Sequence, residues 1–150
     1  MHTELLVLLT AATPVVELRG AIPLGLAMKL PVWEVFILSV IGNIIPVPFI
    51  LAGTRKITEW LSHIPFIEAK LTQWRTKKTG KLSLKIHRWG WFGLLAFVAI
   101  PLPGTGAWTG SILAALLGLN FWLSLLSIIV GVIIAGLIVA GTGLTVLLAI

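Results

Sequence analysis

Apolar residues run through this chain in four long stretches, Leu5–Met28, Val32–Gly53, Trp91–Leu117 and Phe121–Ile150. Polar residues gather in one, Thr54–Trp89. A helix needs about 20 apolar residues to cross roughly 30 Å of hydrocarbon. Val32–Gly53 and Phe121–Ile150 reach that length, and Glu34 at the start of the first suits a helix N-terminus. The other two stretches are broken. Thr13–Pro23 (TPVVELRGAIP) interrupts the first and Pro101–Gly110 (PLPGTGAWTG) the third. Pro14 has no N–H to donate, so the helix over Leu5–Ala12 is expected to stop there. Gly20 permits a turn, and Pro23 suits the first turn of a second helix running to about Met28.

Each arm of a broken stretch is too short to cross alone. Two arrangements are open: one broken crossing helix, or a re-entrant hairpin that returns to the side it entered. Irregular backbone at membrane depth must be enclosed by protein or line a wet cavity, so both arrangements imply a cavity. Asn43, Pro46 and Pro48 fall in the second half of Val32–Gly53. They predict either a simple kink or carbonyls freed toward a partner helix or a cavity. Trp89, Trp91 and Phe92 read as interfacial anchors, and Gly131, Gly136, Gly141 and Gly143 as close-packing positions.

The halves repeat. Leu30, Trp33 and Gly42 reappear as Leu119, Trp122 and Gly131 at a constant offset of 89, and Gly20-Ala21 as Gly106-Ala107 at 86. With re-entrant hairpins and Thr54–Trp89 inside, the halves become inverted copies, a recurrent transporter plan. With four crossing segments they run parallel instead.

Composition fixes the class. Hydrophobic residues make up 58% of 150 positions and charged ones 11%, against about 25% charged in a soluble domain. The fold class expected is an all-α integral membrane protein. A single domain over 1–150 is expected: repeat 1 at about 3–53, a linker at 54–90 and repeat 2 at about 91–150. The net charge of +6 concentrates in the linker, which the positive-inside rule places in the cytoplasm. Ile57, Trp60, Leu61 and Ile64, then Ile67, Leu71 and Trp74, recur at helical spacing. They predict two amphipathic helices on the inner leaflet, with Lys70–Arg88 toward anionic lipid. Topology accounts for the basic run, so no nucleic-acid partner is expected. Met1–Thr13 lacks a basic start and a cleavage site, and is read as part of the fold.

The chain has no cysteine, which excludes disulfides and thiolate metal sites. His2, His63 and His87 are scattered without ligand spacing, so neither a metal nor a cofactor is expected. No nucleophile–base pair stands out, and an enzyme is not expected. The costly residues are Glu17 and Arg19, since an ionisable group near mid-bilayer costs roughly 2.5–3.5 kcal/mol on insertion scales. A carboxylate in a low-dielectric cavity can take up a proton or cation alternately, as an exchanger requires. Arg19 would counter that charge or hold an anionic head group. Beside them stand Gly20, Pro23 and Asn43. In the second break Pro101, Pro103, Gly104, Thr105 and Gly106 offer a turn with free N–H groups ahead of a helix. For each break a purely structural role is the alternative.

TPVVELRGAIPLG and PLPGTGAWTG together resemble the small multidrug export protein family of bacterial and archaeal membranes, over about Thr3–Gly143. That family in turn resembles the DedA/VTT superfamily, associated with re-entrant loops, inverted repeats and movement of lipid or polyprenyl phosphate. That superfamily's acidic pattern before the second break has no counterpart in Phe97–Pro103, which holds no acid. The resemblance implies a carrier in the plasma (inner) membrane, multi-pass. The leading expectation is a proton- or cation-coupled secondary transporter of small amphiphilic or charged substrates, forming a homo-oligomer. A lipid or polyprenyl-phosphate flippase or scramblase is the second, and a non-transporting scaffold the third.

Overall fold

In a computed structural model the described residues, 2–61, 81–102 and 104–149, form seven α-helices and no strand. They are α1 (His2–Ala11), α2 (Glu17–Ala27), α3 (Val32–Ile44), α4 (Val47–Leu61), α5 (Lys81–Ala99), α6 (Ala107–Leu116) and α7 (Phe121–Ala149). The breaks fall where the sequence places them, and Pro101 follows the end of α5 as Pro14 follows the end of α1.

Both breaks fold back. Gly25 on α2 lies against Val7 of α1, and Gly110 on α6 lies against Val98 of α5. Such neighbours exist only if each pair of arms lies side by side. With 10 or 11 residues, α1, α2 and α6 reach about 15–17 Å, half a bilayer. Two stretches are long and apolar enough to cross: Val32–Thr54, with 23 residues, and Phe121–Thr145, with 25. The first is interrupted only at Ile45 and Pro46, a local kink where Pro46 and Pro48 withhold their N–H groups.

Three expectations change. Pro23 sits inside α2 and not in its first turn, because the helix begins at Glu17, ahead of Gly20. The helical spacing at Ile57–Leu61 belongs to α4, which carries the crossing stretch on to Leu61. The remainder of the two linker helices, and Lys70–Gly80 of the lipid-facing segment, lie outside the described residues. Finally, the offset of 86 gives way to 89 throughout. Leu18, Ala21, Ile22 and Gly25 are buried on α2, and 89 positions later Ala107, Gly110, Ser111 and Ala114 are buried on α6.

The turns that follow repeat bond for bond. After α2, Lys29 takes a φ of +62° and the N–H of Leu30 donates to the carbonyl of Gly25 at 3.2 Å. After α6, Gly118 takes a φ of +67° and the N–H of Leu119 donates to Ala114 at 3.0 Å. Both are left-handed helix stops. Asn120 then caps α7, its Oδ1 accepting from the N–H groups of Trp122 and Leu123.

Helices α1–α3 pack as one unit and α5–α7 as another, and α2 and α3 on α7, with α4 on α6, join them. Gly42 of α3 meets the Leu8 carbonyl and Ala11, while Gly131 of α7 meets the Leu95 carbonyl and Val98. Small residues let those backbones approach. One apolar core, including Val7, Ile22, Val35, Val98, Ile128 and Val132, runs through both units. Trp33 and Trp122 stay exposed at the starts of the two long helices.

Candidate functional site

The two hairpin tips meet. Residues 12–16 turn the chain from α1 into α2, and Glu17 opens α2 with a φ of +52°. A left-handed non-glycine residue is strained by about 1–3 kcal/mol and persists only where its surroundings hold it. What holds Glu17 is the second tip. Its Oε1 accepts the backbone N–H of Trp108 at 3.3 Å. Trp108 lies in the first turn of α6, whose own N-cap, Gly106, supplies no side chain. Glu17 thus caps a helix 91 residues away in the chain. A Cβ at Gly106 would push the Glu17 carboxylate out of this position. The Trp108 indole N–H completes the join by donating to the Ala12 carbonyl at 3.3 Å.

Arg19 reaches the same strap. Its Nη1 lies 3.7 Å from Glu17 Oε2. Its Nη2 donates to the Ile100 carbonyl at 3.2 Å and to Thr105 Oγ1 at 3.0 Å. The Thr105 hydroxyl sits 2.7 Å from the Ile100 carbonyl and 2.9 Å from that of Leu102, and it accepts the Leu102 N–H. Pro101 helps to end α5, and the carbonyls of Ile100 and Leu102, past the end of that helix, face Arg19 and Thr105. The Arg19 Nε is buried and has no partner among the described residues.

A cavity of about 340 Å³ opens beside the pair, lined by Pro14, Val15, Val16, Glu17, Arg19, Pro101, Gly104 and Thr109. That is room for a small molecule. Glu17 is 5% exposed, so the carboxylate borders the cavity from within the protein. Its oxygens can hold a proton or a cation, and Arg19 can hold an anion. Either binding event must compete with the contacts between the tips.

The sequence-derived candidates therefore divide. Glu17, Arg19, Pro101, Gly104, Thr105 and Gly106 come together. Gly20 packs on Val16 and Pro23 is exposed on the far face of α2, so both stand apart from the cavity. Asn43 is buried but does not line it. Pro103 lies outside the described residues. Trp108, Ala12 and Ile100 were not legible as site residues, because they act through the backbone or through a partner far away in the chain. Among the described residues no group of His, Asp and Glu side chains is placed to hold a metal.

Residues 17–138 match the model of a family described as "Putative small multi-drug export protein". No curated protein matches, and no solved structure does.

Proposed function

The chain belongs to the small multi-drug export protein family, and from that premise we propose that it is a secondary transporter driven by a proton or cation gradient. The observation that carries this reading is the Glu17–Arg19 pair, with Glu17 buried and Arg19 half-buried between two hairpin tips beside a cavity. Apart from each other, these two side chains bond to Ile100, Thr105 and Trp108, all in the second half of the chain. Glu17 is the coupling group. Taking up a proton or cation weakens its hold on Arg19 and on the α6 N-terminus, and the tips can then part. Arg19 becomes free to bind charge on a small amphiphilic substrate.

Alternating access follows if the halves are inverted repeats. In support, α7 passes Gly110 of α6 at Ile128, meets Phe36 at Gly136, and reaches Leu26 near the end of α2 at Gly143. α2 and α6 thus start together and leave in opposite directions. In this reading each hairpin enters from its own face of a bacterial or archaeal inner membrane, with 54–89 cytoplasmic, and the site lies near the midplane.

A second reading, lipid movement, draws on the apolar rim of the cavity. Val15 is 90% exposed at the first tip, and Ile100 and Leu102 are exposed at the second. Reconstitution in liposomes tests both. We expect efflux of a lipophilic cationic dye to depend on an imposed pH gradient and to fall at least tenfold in Glu17→Gln. Glutamine keeps an acceptor for Trp108 but cannot exchange a proton. Movement of a labelled lipid without any gradient, unchanged in Glu17→Gln, would replace export by scrambling.

A further inference from the structure

Two buried polar residues on α3 have no role in the cavity. Ser39 is 0% exposed and Asn43 1%. Among the described residues, the Ser39 hydroxyl and both Asn43 amide atoms lack a partner. On α7 the buried Ser124 also lacks a partner among the described residues, whereas Ser111 and Ser127 turn their hydroxyls onto carbonyls four residues back. Ser39 does not, so something else must meet it: a buried polar atom left unmatched is expensive, most of all at membrane depth.

Register places these atoms. α2 and α3 form a hairpin about the turn Met28–Pro31, with Gly25 against Val35. Stepping one helical turn away from that contact pairs Ala21 with Ser39, and the next pairs Glu17 with Asn43. All six residues are buried. At about 1.5 Å per residue, Glu17 and Asn43 both lie about 12 Å from the Gly25–Val35 contact. Asn43 is therefore level with the coupling carboxylate. The cavity is lined by the two breaks, not by α3, so Ser39 and Asn43 stand outside its wall.

The chemistry selects the occupant. Asn43 presents an acceptor and a donor, and Ser39 a hydroxyl that is either. A bare cation would leave the amide N–H unmatched, and an anion the amide oxygen. Water meets both, and buried water makes two to four such bonds. We propose that Ser39 and Asn43 hold buried water that passes protons to and from Glu17 on the side away from the cavity. A proton arriving along this water adds to one carboxylate oxygen, giving the acid. The acid later yields it to the cavity, and no other bond changes. Arg19 is the charged neighbour on the same helix. α1 and α3 carry Glu4 and Glu34 toward the Met28–Pro31 end, and α6 and α7 carry no ionisable side chain. Ser39 and Asn43 are positioning residues, and the inference rests on Glu17 being the coupling group.

The test is hydrogen–deuterium exchange of the Glu17 carboxylic acid, followed by infrared spectroscopy on the whole protein in liposomes. The band is identified by its loss in Glu17→Gln. Asn43→Val copies Val132, the buried residue 89 positions on, and Asn43→Thr has the same shape with a hydroxyl restored. We expect exchange at least tenfold slower in Asn43→Val, with a melting temperature equal to or above the parent's. Asn43→Thr should exchange within about threefold of the parent. Exchange as fast in Asn43→Val as in the parent, or as slow in Asn43→Thr as in Asn43→Val, overturns the water path alone. Absence of any acid band lost in Glu17→Gln overturns the coupling role of Glu17 and the path with it.

Discussion

Lys29 and Gly118 show how much one residue's conformation can matter. Both end a short helix in the left-handed region, and both release the chain into the next helix three residues later. Glycine adopts this conformation freely, whereas lysine is strained in it by about 1 kcal/mol. Lys29→Gly should therefore stabilise the protein by about that amount and raise its melting temperature in detergent by a few degrees. An unchanged or lower temperature would mean that the lysine side chain supplies what its backbone costs. The Glu17 backbone is strained in the same sense, but glycine there would delete the carboxylate that holds the tips together. The expensive residues of the site were legible because Glu17 and Arg19 stand out in an apolar run. Their backbone partners were not: the N–H of Trp108 and the carbonyl of Ile100 leave no mark in the sequence.

At the scale of elements, the glycines on the two long helices differ in what they do. A Cβ on Gly131 would lie 2.8 Å from the Val98 Cβ and 3.0 Å from the Leu95 carbonyl, whereas one on Gly141 would meet nothing within 4 Å. Gly131→Ala should then force α5 away from α7 at a cost of about 1–3 kcal/mol. Gly141→Ala should be neutral or slightly favourable, since alanine is the better helix former. Unfolding in SDS would check both, and equal effects would contradict the packing described. Helix lengths and the two breaks were readable from apolar runs and prolines. The start of α2 was not, because Gly20 looked like the turn while the turn lies at residues 12–16. Matching letters at an offset of 86 misled for the same reason. The burial pattern and turn bonds keep 89, which sets Gly106 opposite Glu17.

For the whole molecule, the decisive question is on which faces the hairpins open. The chain has no cysteine, so single substitutions need no altered background. Met28 and Leu117 are exposed equivalents, 89 residues apart, each just past the end of a short helix. Met28→Cys should react with an impermeant thiol reagent from outside intact cells, and Leu117→Cys only after the membrane is opened. Labelling of both from one side would remove the inverted arrangement and with it the alternating-access scheme.

The join between the tips also has a consequence in time. The partners of Ala12, Glu17 and Arg19 across the tips lie 81 to 96 residues further along the chain. A ribosome adds about 5–20 residues per second, so the first hairpin waits roughly 5 to 20 seconds for the second. Throughout that interval the strained carboxylate and its arginine have only each other, inside or beside the membrane. The newborn first half is thus an unfinished object whose assembly is completed late, and it is the stage at which an insertion factor or a quality-control protease would find a free Glu17 to act on.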